Sequence, residues 1–405
     1  MSCDLSPVGG PAAWKGAELD YRSDGLHVLS EADVSEIDGA LAGLKSLGDL
    51  DLPQITRSTF PLPTLGKVLA DLCGELHHGR GFVLIRGLDR GRYSADDLAR
   101  IYYGLGVHLG QVIPQSGDGE LLGHVLNVDG LVPEELRGYR TNRSMNMHCD
   151  GHDIVGLLCL QSAKRGGASR IASAVAVHDR MVAERPDLAQ ALYEGMKVKR
   201  MEKDAQRGDG RLVTAEPVAL FAKSSGEFMA CIHPAQVRDA AASGAFEMTS
   251  RQAEALDTLC ALSASAEFYL DMEIGEGDIQ FLNNRLVVHG RTTYEDHEAL
   301  DRRRHLLRLW LLAPTWPARP ANQQDIFALD DLPNWARHRT PGMEFPSRYA
   351  AQMAAFKTAP ESGDLLTAKL GRKAGGSGHV PPAQLQPPQA LGQLDPAMGP
   401  GPQLR

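Results

Sequence analysis

The segment MNMHCDGHDIVGLLCL, Met145 to Leu160, crowds two histidines, two aspartates and a cysteine into the six positions His148–Asp153, and then turns apolar. His148 and Asp150 are two residues apart. On an extended strand, side chains at i and i+2 share a face, so both can address one ion while Cys149 points away. An isolated His-x-Asp occurs by chance in many chains and reads as a surface or hydrogen-bonded pair. A histidine far downstream, His289 in GDIQFLNNRLVVHGRT, changes the balance. Alone it reads as a satisfied core residue. With the upstream pair it completes a face of two histidines and one carboxylate, which leaves three positions of an octahedral iron open, as oxygen activation requires. His152 has the strand parity to mimic a ligand, and the bend expected at Gly151 together with His289 argues against it.

Two arginines follow in DRRRHLLRLWLL. Arg304 and Arg308 are four apart and share a strand face with Leu306 and Trp310. Cations among leucine and tryptophan are expensive to bury without anions, and a guanidinium binds a carboxylate through two parallel hydrogen bonds. The plainer reading is a pair of ion pairs at a sheet edge. In RGGASRIAS, Gly166 and Gly167 make a tight turn and Ser169 offers a hydroxyl on the next strand. The histidines His77 and His78 lie at a helix end, where the dipole favours them, and read as structural.

These residues need elements to position them. SEADVSEIDGALAGLKSLG starts a helix at a capping box, Ser30 with Asp33. LPTLGKVLADLCGELHHGRG is a second helix, GFVLIRGL a buried strand, and SADDLARIYYGLGVHLG a third helix capped by Ser94. Beyond these, IVGLLCLQSA, SRIASAVAV, RLVTAEPVALFA, EFMACIHP, GDIQFLNNRLVVHGRT and RRRHLLRLWLLAP are strand-like. HDRMVAERPDLAQALYEG and SRQAEALDTLCALSAS are helices inserted among them. The class is β-rich α+β, a sandwich or barrel-like core wrapped by helices. Residues 1–25 read as irregular and residues 26–357 as a single domain. Residues 358–405 are a Gly/Pro-rich tail that cannot offset its chain entropy and is expected to be disordered.

The formal net charge of −9 and the lack of a basic stripe interleaved with aromatics argue against nucleic acid as a partner. No apolar run is long enough to span a membrane and the start carries no secretory pattern, so no membrane partner is expected. Six cysteines without framework spacing fit reduced thiols in a cytoplasmic protein. The sequence leaves the oligomeric state open.

The ordered set HCD, GGASRI, NNRLVVHGRT and RRHLLRLWL resembles the taurine dioxygenase-like (TauD/TfdA) branch of the iron(II)- and 2-oxoglutarate-dependent oxygenases. HGRGFVLIRGL and LARIYYGLGVHLG are similar to the N-terminal elements of that branch. The resemblance implies a double-stranded β-helix, or jelly-roll, core. It implies His148, Asp150 and His289 as iron ligands, and Arg304 holding the distal carboxylate of 2-oxoglutarate. Ser169 stands where the family often has a threonine touching that carboxylate, and Arg303 is a minor competitor of Arg304. Arg308 aligns with an arginine that contacts substrate or the other end of the co-substrate. Fe(II), 2-oxoglutarate and O2 are the implied cofactor, co-substrate and oxidant, with succinate and CO2 released. Because Asp150 keeps the carboxylate that related halogenases lose, hydroxylation of an unactivated C–H bond is the expected outcome. Asn146, His152, Asp153 and Arg308 are candidate contacts to a small polar substrate, an amino acid or another carboxylate, although His152 and Asp153 fit a local turn equally well. Two other readings of the same residues are a jelly-roll enzyme using zinc or manganese without oxidation and a non-enzymatic binding module.

Overall fold

Ser30 and Ser94 open two helices in the computed structural model by the mechanism their spacing predicts. Each side-chain oxygen accepts the backbone N–H three residues on, at 3.2 Å from Asp33 and 3.0 Å from Asp97. The structure describes residues 4–132, 136–327 and 331–358. The expected tail lies outside them, apart from its first residue, Thr358.

In chain order the first elements are β1 Leu26–Val28, α1 Glu31–Ser46, α2 Leu65–His78, β2 Phe82–Arg86, α3 Ala95–Leu109, β3 Gln111–Val112 and β4 Gly123–Leu126. Then come β5 Met145–His148, β6 Ile154–Gln161, β7 Arg165–Gly166 and β8 Ser169–Ser173, followed by α4 Ala174–Glu184, α5 Pro186–Glu194 and α6 Glu202–Gln206. The hairpin β9 Phe221–Ser224 and β10 Glu227–Ala230 leads to α7 Pro234–Ala242 and α8 Ser250–Ser263. Four more strands follow: β11 Tyr269–Met272, β12 Ile279–Asn283, β13 Val287–Arg291 and β14 Tyr294–Glu295. The last strand is β15 His305–Leu312, and α9 Ala321–Phe327, α10 Leu332–Ala336 and α11 Pro346–Thr358 end the described chain.

The larger sheet runs β1-β2-β12-β6-β15-β3, with β4 also paired to β15, and the smaller runs β11-β8-β13-β5. All of these pairings are antiparallel except β1 with β2. Leu307, Leu309 and Leu311 of β15, with Ile154, Leu158 and Leu160 of β6, pack outward into one core with α1, α2 and α3. Trp310 of β15, Val155 of β6 and Leu84 of β2 join Ile171 of β8, Met272 of β11 and Val287 of β13 in another core between the two sheets. The outer face of the smaller sheet, with Ala172, Val288 and Met147, is covered by α4, α5 and α8. This is the double-stranded β-helix the resemblance implies, and the alternation along β15 is what puts Arg308 inside it.

Three local expectations differ. SRIASAVAV is not one strand: Ser173 accepts the Ala176 N–H at 2.9 Å, so the AVAV stretch opens α4. The helix expected over HDRMVAERPDLAQALYEG is two, because Pro186 cannot donate into the preceding turn and starts α5 as its first residue. In RLVTAEPVALFA only isolated bridges at Val213 and Val218 precede β9, with Pro217 between them. The described part of the irregular N-terminal segment has a 3₁₀ turn, Gly16–Glu18, and Trp14 and Tyr21 bury their rings in the core between the sheets.

Candidate metal centre

His289 and His148 are direct register partners across β13 and β5, which is how residues far apart in sequence come to face each other. Their rings lie 4.5 Å apart. The close approach of these strands depends on Gly290, where a Cβ would fall 2.5 Å from the Met145 carbonyl oxygen. Asp150 lies two residues past the end of β5, in the irregular connection just before the bend at Gly151. Its carboxylate is nevertheless 3.8 Å from His148 Nε2 and 3.8 Å from His289 Nε2. One donor atom from each of the three falls within 4.8 Å of the others. Cys149 packs the other way, in the core beneath Met147 and Val288.

The site is prepared electrically. Burial opposes ionisation of Asp150, but Arg308, His289, His148 and the Trp310 N–H outweigh it and hold the carboxyl well below the usual carboxylate range. Burial, with His148 and Arg308 adding to it, pushes His289 down to about 3, so its imidazole is neutral and its lone pair available at neutral pH. His148 Nδ1 lies 2.8 Å from the Asn146 carbonyl. That bond fixes the proton on Nδ1 and turns the Nε2 lone pair toward Asp150 and His289.

Arg308 is buried, 3.1 Å from Asp150 Oδ2, and donates its Nε–H to Gln115 Oε1 at 2.8 Å. Trp310 Nε1 donates to the same Asp150 oxygen at 2.9 Å. Arg308 therefore faces the carboxylate of the triad directly. Arg304 takes a different place. Its Nη2 donates to the Gly167 carbonyl at 3.1 Å, its guanidinium carbon is 5.2 Å from the centre of the Tyr294 ring, and its buried Nη1 has no partner among the described residues. Ser169 is buried on β8 and donates its hydroxyl to Gln280 Oε1 at 2.9 Å. Arg303 turns away and donates to the Asn127 carbonyl.

The remaining sequence candidates divide. Asp153 holds Arg285 through Oδ1 at 2.7 and 3.0 Å and accepts the Ala313 N–H on Oδ2 at 3.0 Å, so it locks the loop after β5. His152 is buried with φ +118° against the edge of Trp310. Asn146 is exposed and contributes its carbonyl rather than its side chain. Asn284 accepts the Asp150 N–H at 3.3 Å, bracing the same loop. A second His-His-carboxylate group, His77, His78 and Glu227, also brings its donors within 4.8 Å. There the His77–Glu227 contact of 3.0 Å and the stacking of His77 on Trp316 at 4.4 Å account for the arrangement without an ion.

Two residues were missed. His233 follows β10, is buried, and its Nε2 has no partner among the described residues. The Cys149 N–H to Ile232 carbonyl bond, 2.7 Å, pins the preceding residue against the ligand loop, and burial, with His148 adding to it, pushes the His233 imidazole down to about 3. No periodicity marks it. Arg291 is the other, and its i+2 spacing from His289 is a signal that parity would have supplied.

FR-33289 synthase of Streptomyces rubellomurinus is 30% identical to this chain over 313 residues, covering 75% of this chain and 90% of that protein. Taurine hydroxylase-like protein SAT17 of Stachybotrys chartarum is 30% identical over 313 residues, 73% of this chain and 77% of its own. Asparagine oxygenase, solved with Fe(II), 2S,3S-3-hydroxyasparagine and succinate, superposes with a TM-score of 0.58 at 19% identity, over 74% of this chain and 98% of that one. The non-heme iron oxygenase OrfP with Fe and alpha-ketoglutaric acid superposes at 0.51 and 17% identity, over 71% and 94%. At such identities the two structures speak for the fold. Fold and site together define an iron(II)- and 2-oxoglutarate-dependent oxygenase, with O2 as oxidant. Residues 48–310 match the taurine catabolism dioxygenase TauD, TfdA family, and the chain belongs to that family. No helix among the described residues is long and apolar enough to cross a membrane.

Proposed function

We propose that His148, Asp150 and His289 hold the iron, that Arg304 with Ser169 receives the distal carboxylate of 2-oxoglutarate, and that residues 26–357 form the catalytic domain that hydroxylates a small polar substrate. The observation that carries the reading is the convergence of three donors from β5, the connection after it and β13 within 4.8 Å. Two neutral-capable imidazoles and a carboxylate kept ionised suit a divalent iron with open positions. A buried guanidinium with an unpartnered Nη1 at Arg304 suits the far end of a dicarboxylate. Bound there, iron and 2-oxoglutarate supply the oxidising power, with succinate and CO2 as the co-products.

The chain's own part is positional. The Asn146 carbonyl sets the His148 tautomer, and Arg308 and Trp310 fix the Asp150 carboxylate. Trp310, Val155, Ile171 and Val287 supply an apolar interior. For substrate, a small amino acid or related carboxylate is the class supported by the hydroxyasparagine and hydroxyarginine complexes of asparagine oxygenase and OrfP. His233 Nε2, buried after β10 and without a partner among the described residues, is a polar group available to contact it. The five described cysteines are free, in keeping with a reducing cytoplasm.

The test is succinate formation from 2-oxoglutarate under air with Fe(II), screened against L-amino acids, small amines and sulfonates. A substrate-dependent rise in succinate that disappears in His148→Ala and His289→Ala protein is expected. Undiminished turnover in either variant refutes the assignment.

A further inference from the structure

We infer that the distal carboxylate of 2-oxoglutarate is gripped by two guanidiniums, Arg291 as well as Arg304, arranged about the ring of Tyr294. The inference rests on the co-substrate reading above and adds a residue to it. Arg291 is as deeply buried as Arg304, at 5% and 6% exposure. Its Nη2 donates to the carbonyls of Thr141 and Arg143, at 2.8 and 2.5 Å, while its buried Nε and Nη1 have no partner among the described residues. The guanidinium carbons of Arg291 and Arg304 lie 4.8 and 5.2 Å from the centre of the same Tyr294 ring.

The nearby carboxylate does not satisfy this pair. Asp296 is held by the Arg304 backbone N–H at 2.8 Å and by the Asn127 side chain at 3.2 Å. Two buried cations with three unpartnered nitrogens among the described residues repel each other and have lost their water, a costly arrangement unless an anion bridges them.

Strand register points to which anion. Arg291 is the direct partner of Ser169 on β8, so their side chains stand together on the face that also carries His289. Residues i and i+2 on a strand are about 6.6 Å apart, a step that suits a five-carbon dicarboxylate with its other end at the metal. Arg291 also ties the co-substrate pocket to the Thr141–Arg143 loop, because one guanidinium serves both.

The test compares 2-oxoglutarate with 2-oxopentanoate, which keeps the metal-chelating end and lacks the distal carboxylate. Kd for each is measured by calorimetry on Mn(II)-loaded protein, and by the visible absorption of the anaerobic Fe(II) complex, for wild type, Arg291→Gln and Arg291→Lys. Loss of one charge-assisted contact predicts about 10- to 100-fold weaker 2-oxoglutarate in Arg291→Gln. Unchanged 2-oxopentanoate and metal affinity and substantial recovery in Arg291→Lys are expected with it. Equal weakening of both oxo acids assigns Arg291 to the loop alone and overturns the inference, as does 2-oxoglutarate affinity within twofold of wild type. A wild-type protein that does not prefer 2-oxoglutarate over 2-oxopentanoate overturns the co-substrate reading itself.

Discussion

Substituting Gly167 by alanine tests the co-substrate pocket without touching any ligand. Gly167 has φ +78°, and a Cβ there would lie 2.8 Å from Arg304 Nε, 3.0 Å from Arg304 Cδ and 3.2 Å from Tyr294 Cβ. The residue is held at its other side by its own N–H, bonded to the Thr293 carbonyl at 3.2 Å. Arg304 is therefore caught between the new methyl group and the aromatic ring and must leave its bond to the Gly167 carbonyl. The left-handed conformation costs an L-residue about 1–2 kcal/mol in stability. Displacing the guanidinium forfeits a charge-assisted hydrogen bond to the bound carboxylate, about 1.5–3 kcal/mol, or about 10- to 100-fold in Kd for 2-oxoglutarate. The assay is anaerobic titration of Fe(II)-loaded protein with 2-oxoglutarate, alongside metal affinity and Tm. The expected pattern is a modest fall in Tm, unchanged metal affinity and weakened 2-oxoglutarate. If 2-oxoglutarate binds Gly167→Ala as tightly as wild type, Arg304 does not hold it.

Other outcomes follow from the buried charges. Arg308→Leu strips Asp150 of its 3.1 Å counterion and should destabilise the metal-free protein by about 3–5 kcal/mol. Added Mn(II) replaces that positive charge, so the metal-induced rise in Tm should exceed that of wild type, and equal rises would contradict the role given to Arg308. His305 and His124 share a 2.8 Å ring–ring contact under the stacked Tyr349 of α11. Burial, with Arg90 adding to it, lowers His305 from 6.5 to about 4, and burial with His305 beside it lowers His124 well below 6.5. The unfolded chain thus binds the extra protons, and the stability carried by the neutral rings, complete above pH 6.5, is lost as pH falls toward 4. Thermal melts from pH 7 to 4.5 should show that decline, shallower in His305→Asn; identical slopes would exclude the pair as its source.

The triad was legible as a His-x-Asp pair with a distant histidine behind an apolar run, His148 on β5 and His289 on β13, although Asp150 lies past the end of β5, where strand parity no longer applies. The meeting of those strands is a register fact that spacing alone does not contain, and the resemblance supplied it. Parity placed Arg308 inside, while its division of labour with Arg304 depended on a partner at each end: Gly167 and Tyr294 for Arg304, Asp150 and Gln115 for Arg308. The tie between Asp153 and Arg285, far along the chain, is a tertiary contact that spacing does not contain. His233 sits in an irregular connection where no periodic signal exists. The break before Pro186 and the Ser173 cap were written in local chemistry that a reading by hydrophobic runs passes over.

The central claim is that His148, Asp150 and His289 form one iron site that presents a chelated 2-oxo acid. Its most direct test needs no substrate: the anaerobic absorption spectrum of the Fe(II) protein on adding 2-oxoglutarate. A weak visible charge-transfer band in wild type, absent in His148→Ala and His289→Ala at equal protein and iron, is the predicted result. No band in wild type, or a band that persists in either variant, would contradict the account.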